Sequence, residues 1–449
     1  MEQVDTLVYA RWIIPVEPHN VVYDHHCLAI RDGRIADILP AADARQKYSS
    51  DVTLNLDSHA LAPGLINTHT HLAMSLFRGL ADDLPLMEWL NDHIWPAEGK
   101  WVSPEFVRDG SRLAIAEMLR GGTTCFNDMY FFPDETARAA AEAHMRATVG
   151  MIIIDFPTVW AANADEYLRK GLKLHDEYRN HPLINTAFAP HAPYTVSDAP
   201  LKRVQMLSEE LEVPVHIHLH ETGHEVEESV KQHQMRPLAR LNKQGLLSPG
   251  LLAVHMTQLT DDEITLLAES NVNVIHCPES NLKLASGFSP IAKLINAGVN
   301  VALGTDGAAS NNDLDMFGEM RAAALIAKAV SADASAVPAA TALQMATLNG
   351  AKALGIDHET GSLMVGKAAD LIAIDLGALE SQPVYHPISQ LVYATGRDKV
   401  SDVWVSGKHL VKDATLTNMD TGMIGRRARA WGEKIMAADE ALSQQQSKD

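Results

Sequence analysis

The sequence predicts an α/β protein: a (β/α)8 barrel with a small β-sandwich domain formed by both chain ends. Three observations predict it. The chain has 449 residues, above the size at which a single core stops growing. From about residue 60, eight apolar strands alternate with helical segments. On either side of that stretch the texture changes to short strands and turns. A barrel of this kind takes about 250 residues, which leaves roughly 200 for a second unit.

Residues 1–60 are expected to form the first half of the sandwich. Asp5–Ala10, Cys27–Arg31 and Val52–Leu56 are apolar and β-branched runs, and Asp32-Gly33 is a turn signal, so an antiparallel sheet is expected. Residues 61–355 are expected to form the barrel. Its strands are placed at Ala62–Thr68, Thr123–Met129, Val149–Asp155, Ile184–Ala189, Val213–His220, Leu251–His255, Val272–His276 and Val299–Leu303. Helical segments lie between them, among them Arg112–Leu119, Asp134–Ala147, Asp198–Glu210, Asp261–Ala268 and Ile291–Ala297. Near-continuous apolar strands alternating with helices are the pattern of a closed parallel barrel. A doubly wound open sheet is the competing arrangement, and the chain has no Gly-rich phosphate fingerprint for it. Residues 356–449 return to strands (Asp370–Asp375, Val400–Val405) and turns, then a helix over about Gly422–Leu442 and a polar tail, Gln444–Asp449.

Hydrophobic residues make up 46% and charged residues 21%, the balance of a globular protein. Lys and Arg number 37 against 57 Asp and Glu, a formal charge of −20, which disfavours nucleic acid or an anionic membrane as partner. Cys27, Cys125 and Cys277 are odd in number and widely spaced, so no disulfide framework or cysteine zinc site is expected. With no signal-peptide pattern at Met1–Pro15 and no run of 18 apolar residues, a cytoplasmic protein is expected.

The chemistry is concentrated at strand ends. Asn67-Thr68-His69-Thr70-His71 follows an apolar strand, and alternation points His69 and His71 the same way, so both rings can reach one metal ion. In VPVHIHLHET (213–222), His216, His218 and His220 share a face if the strand stays regular, and periodicity does not choose between them. Three histidines in one apolar strand are poorly explained by packing, since each ring nitrogen needs a partner. Glu221 follows where the strand ends, placed to give and take protons. His255 ends the strand LLAVH, and Asp306 lies in VALGTDGAASNN, just past another strand. Residues at the C-terminal ends of barrel strands are where this architecture carries catalysis. Imidazoles plus one carboxylate suit a catalytic zinc that keeps one position for water, and iron(II) suits the same set. A bound metal lowers that water's pKa towards neutrality. Asp306 can then accept the water's proton, His255 can hydrogen-bond the hydroxide and Glu221 can protonate a substrate ring nitrogen.

On PGLINTHTH (63–71), IHLHET (217–222), VIHCPESNLKLASG (274–287) and LGTDGAASNN (303–312), the chain resembles the amidohydrolase superfamily over nearly its whole length. The resemblance implies metal ligation by His69, His71, His218 and Asp306. It selects His218 because the family's ligand stands three residues before the Glu. It gives His255 the hydroxide and Glu221 the proton shuttle. Two-metal branches use a carboxylated Lys on a middle strand; APHAPYT (189–195) offers His191 and no Lys, so one divalent metal per subunit is implied. Within the superfamily, LFRGLADDLPLMEWLNDHIWPAE (76–98) resembles the methylthioadenosine/S-adenosylhomocysteine deaminases. That implies a purine nucleoside substrate, with Glu98 on the ribose hydroxyls, His191 near the purine, Leu76–Leu90 as an apolar wall, and a homo-oligomer. A carboxylate's two oxygens can accept from a vicinal diol. The family also uses an Arg from the third strand region, and MIIIDFPTVWAA (151–162) has none. A second reading keeps the site and changes the substrate to guanine, 8-oxoguanine or a triazine. A non-catalytic scaffold would lack one of the six groups, and all six are present.

Overall fold

The computed structural model describes residues 1–446. The two chain ends meet in one sheet outside the barrel. Its N-terminal strands are β1 (Glu2–Ile13), β2 (Tyr23–Arg31), β3 (Arg34–Pro40) and β4 (Tyr48–Pro63). Eight parallel barrel strands follow: β5 (Leu65–Thr70), β6 (Thr123–Tyr130), β7 (Arg146–Ile153), β8 (Ile184–Pro190), β9 (Val215–Leu219), β10 (Leu251–His255), β11 (Asn273–His276) and β12 (Asn300–Leu303). The C-terminal strands β13 (Leu371–Asp375), β14 (Val400–Val405), β15 (Lys408–Lys412) and β16 (Thr415–Leu416) rejoin the first sheet, in the order β16-β15-β14-β13-β4-β1-β2-β3. The join is the antiparallel pair β13–β4, with Ile372 opposite Ala62. Helices cover the outside of the barrel, the longest central ones being Pro104–Arg120 and Met316–Ser331.

Four local expectations change. Ala62 and Pro63 belong to the outer sheet rather than to the first barrel strand. The break is Gly64, whose N–H is given to Asp370 and where an added Cβ would lie 2.0 Å from the Thr124 hydroxyl. The outer sheet is not wholly antiparallel, because the helix Ala41–Lys47 carries the chain back and lets β4 run parallel to β1. The helix placed over Asp134–Ala147 ends at Ala143, where His144 turns left-handed (φ 57°) and the chain enters β7. Arg146 at the start of β7 forms a buried ion pair with Asp370 (2.8 Å), tying barrel to outer sheet. At the other end, Gln444–Gln446 of the expected tail continue the helix Thr421–Gln446, and 447–449 lie outside the described residues.

The barrel closes between β12 and β5 through side chains and loop backbone. Asn67 Oδ1 accepts from the Thr305 N–H (3.0 Å), Thr68 donates to the Leu303 carbonyl (2.7 Å), and the Asp306 N–H donates to the His69 carbonyl (3.0 Å). Gly304 permits this seam, since a Cβ there would lie 2.7 Å from the His69 nitrogen. No helix among the described residues is long and apolar enough to cross a membrane.

Candidate active site

His69 lies within β5 and His71 just past its end, so alternation turns both rings into the barrel mouth. On β9 the same alternation turns His216 and His218 inward, His216 a layer deeper. His220 departs from the expected shared face: it stands beyond the strand with φ 53°, its Nδ1 on the Gln258 carbonyl (2.8 Å) and its Nε2 accepting from the Leu238 N–H (3.0 Å). His255 and Asp306 also take left-handed backbone (φ 75° and 64°). Non-glycine residues held in this region store strain and cluster at functional sites.

The ligand atoms of His69, His71, His218 and Asp306 all lie within 4.8 Å of one another. Asp306 Oδ1 is 3.2 Å from Nε2 of both His69 and His71, and Nε2 of His218 is 3.2 Å from Nε2 of His69. Nδ1 of His71 meets the Met129 carbonyl at 2.6 Å, and Nδ1 of His218 meets the His191 carbonyl at 2.7 Å. A carbonyl only accepts, so in the neutral ring each Nδ1 carries the proton and each Nε2 offers a lone pair to the centre of the cluster. The second oxygen of Asp306 accepts from Ser280 Oγ (2.7 Å). Burial, and then the neighbouring imidazoles, push the His218 pKa well down, keeping it a neutral donor. For Asp306 burial works upward, but the hydrogen bonds and charges of His69 and His71 outweigh it and hold the carboxyl well below its usual range. Burial lowers the His71 pKa, but the hydrogen bond and charge of Asp306 outweigh it and raise it to about 9; a cation would displace that proton, and three imidazoles with one ionised carboxylate fit a divalent ion.

Beside the cluster, Glu221 Oε2 is 3.8 Å from Nε2 of His255, whose Nδ1 faces Asn281 Oδ1 at 2.9 Å. Burial raises the Glu221 pKa, favouring a form able to donate a proton. Its backbone is clamped by buried Glu225, whose two oxygens accept from the His220 and Glu221 N–H groups (3.0 and 2.7 Å).

A cavity of about 210 Å³ runs from this cluster outward. His71, His218, Glu221, His255 and Asp306 line it together with His191 and Glu98. Glu98 stands on the helix Trp95–Trp101, which continues from a wide π-type turn at Trp89–Ile94. Its carboxyl is pushed up to about 7, by burial, against the opposing effect of the Tyr130 hydroxyl. His191 Nδ1 faces Thr195 Oγ1 (3.0 Å), and burial drops its pKa to about 3. Of the expected apolar wall, Leu86, Trp89 and Leu90 line the cavity, whereas Leu76 and Leu80 pack on the core. Ser280, Asn281, Glu225 and Tyr130 were not singled out from sequence. Only Glu225 carried a legible signal, the Thr-x-x-Glu capping pattern at 222–225, and Thr222 does accept from the Glu225 N–H.

Three imidazoles and a carboxylate gathered at the C-terminal mouth of a (β/α)8 barrel define a metal-dependent barrel hydrolase. The chain belongs to the amidohydrolase family, whose model matches residues 60–410. It is 53% identical over 433 residues to the 5-methylthioadenosine/S-adenosylhomocysteine deaminase of Saccharophagus degradans, covering 96% of this chain and 97% of that one. The protein of the same name from Teredinibacter turnerae is 54% identical over 434 residues, covering 97% and 98%. Among solved structures, an adenosine deaminase from Xanthomonas campestris with bound zinc is 55% identical, covers 97% of this chain and 99% of that one, and superposes with a TM-score of 0.96.

Proposed function

We propose that the chain is a metal-dependent hydrolytic deaminase that replaces the 6-amino group of an adenosine derivative by oxygen, giving an inosine-type product and ammonia. The observation that carries this reading is that one cavity is lined by His71, His218 and Asp306 of the cluster together with Glu221, His255, His191 and Glu98. His69, His71, His218 and Asp306 would hold one divalent cation, zinc first and iron(II) second. When bound, that ion supplies a water of lowered pKa. Glu221, its pKa raised by burial, protonates the purine ring nitrogen from its carboxyl oxygen. Asp306 takes the attacking water's proton on Oδ1 and returns it to the leaving amino group. His255, its Nδ1 fixed on Asn281, orients the attacking oxygen through Nε2. His191 contacts the purine and Glu98 accepts from the ribose diol. The zinc-bearing Xanthomonas neighbour and the names of the relatives support this reading.

We infer a preference in the 5′ group from charge. Among the described residues the cavity lining contains no Lys or Arg, and it includes Leu86, Trp95, Phe156 and Val159. The amino-acid tail of S-adenosylhomocysteine would bring a carboxylate with no cation to meet it, and desolvating an unpaired charge is costly. Uncharged 5′ groups, methylthio or hydroxyl, are therefore favoured. The test is ammonia release from 5′-methylthioadenosine, adenosine, S-adenosylhomocysteine, guanine and a triazine. The first two should exceed S-adenosylhomocysteine in kcat/KM by about tenfold or more, about 1.4 kcal/mol. Turnover of guanine or the triazine alone would overturn the reading. A homo-oligomer in the cytoplasm completes the proposal, tested by sedimentation and fractionation; Cys27, Cys125 and Cys277 are all unpaired and buried, which suits a reducing compartment.

A further inference from the structure

His216 takes no part in the chemistry above, although it lies in the same histidine-rich strand as His218. It is fully buried, and so is its neighbour His69. Nε2 of His216 is 2.8 Å from Nδ1 of His69. Its own Nδ1 is buried and has no hydrogen-bond partner among the described residues. His71 and His218 rest on carbonyls, which fix the proton on Nδ1 whatever Nε2 does. His69 rests on an imidazole, which can accept or donate.

We propose that His216 is a positioning residue for the metal centre and that metal binding reverses the polarity of the His69–His216 hydrogen bond. The proposal rests on the four-residue metal site above. Without a cation, the His69 Nε2–H can donate to Asp306 Oδ1 at 3.2 Å. Nδ1 of His69 then accepts, and the Nε2–H of His216 donates to it. With Nε2 of His69 committed to a cation, the His69 proton must stand on Nδ1. His216 then accepts at Nε2 and carries its own proton on Nδ1. Both rings stay neutral in both states; two protons change places. An apolar residue at 216 would leave His69 Nδ1 without a donor in the stripped state and, in the metal-bound state, would remove the acceptor that orients the ligating ring and raises its basicity, so metal affinity falls beyond any loss of stability.

The experiment measures the zinc dissociation constant by chelator competition, with the melting temperature of stripped protein alongside, for the parent, His216→Leu and His216→Gln. His216→Leu should bind zinc about 10–100-fold more weakly, with the stripped protein still folded and melting cooperatively. His216→Gln, whose amide oxygen can accept, should stay within about threefold of the parent. Nitrogen-15 NMR of histidine-labelled parent protein should show His216 exchanging its protonated nitrogen on zinc addition. Zinc affinity in His216→Leu equal to the parent's overturns the proposal. So does equal weakening in both variants accompanied by lost stripped stability, which would mark a packing role. Should His216→Leu fail to fold, an unchanged His216 tautomer in the parent on zinc addition overturns it. A parent that binds no zinc refutes the metal site itself, a separate outcome.

Discussion

Each side chain of the metal cluster and its proton-transfer partners stands on a barrel strand or within a few residues of its end, whereas Glu98, in the same cavity, stands on a helix outside the barrel, reached through a wide turn. The barrel groups are held twice. Carbonyls grip His71 and His218, Asn281 grips His255, Ser280 grips Asp306 and Glu225 grips the backbone of Glu221. Glu98 has its burial, the neighbouring Tyr130 hydroxyl and the charge of His71. The difference separates reaction from selection: the barrel fixes the chemistry, and a segment grafted over its mouth reads the rest of the substrate.

Substitutions on the two sides of the comparison should therefore fail differently. The largest effect is expected at the cluster. His218→Ala or Asp306→Ala should cut turnover of every substrate about a thousandfold or more, because metal charge stabilisation is worth several kcal/mol. Metal analysis of the same samples should show depleted metal with the circular dichroism of a folded protein. Normal turnover in either variant would break the comparison at the metal cluster.

Next comes Glu221→Gln, which keeps the shape and removes the transferable proton. Its kcat should fall about 10²–10⁴-fold with metal content intact, the range for a lost general acid. A proportional loss of metal would instead make Glu221 part of the ligand set.

Glu98→Gln sharpens the other side of the comparison. It should raise KM for nucleosides about 10–100-fold, the equivalent of a hydrogen bond to a charged group, and leave any activity on free adenine unchanged. Equal damage to nucleoside and base would place Glu98 outside ribose recognition.

The smallest effect is pH dependence. With its pKa near 7, Glu98 is a carboxylate above that pH and a neutral acid below it. Affinity for the ribose diol should therefore be full above about pH 7 and fall as pH drops through it, and Glu98→Gln should flatten that part of the KM profile. A KM insensitive to pH in the parent would contradict the assignment.

The contrast also explains what the sequence made legible. Eight apolar runs between helices located all eight barrel strands, because strands buried on both faces leave an unbroken hydrophobic record. His69, His71, His255 and Asp306 were visible because each directly follows or closes such a run. The choice among His216, His218 and His220 was not visible to alternation, because the strand stops at Leu219 and His220 turns left-handed. The shell behind the site stayed hidden because Ser280, Asn281 and Tyr130 are ordinary polar residues until the fold carries them beside their partners. The helical run Leu86–Trp101 escaped notice because Pro85 and Pro96 and the polar Asn91-Asp92-His93 obscure its period; Pro96 is tolerated in the first turn of the last helix.

The central claim is that this barrel deaminates adenine nucleosides and needs a metal held by His69, His71, His218 and Asp306 to do so. The most direct measurement follows ammonia release and the ultraviolet change of 5′-methylthioadenosine with purified, chelator-stripped and zinc-restored protein. The account predicts stoichiometric ammonia and a 6-oxopurine product, loss of both on stripping and their return with zinc. Metal-loaded, folded protein that releases no ammonia from any adenine nucleoside would contradict it.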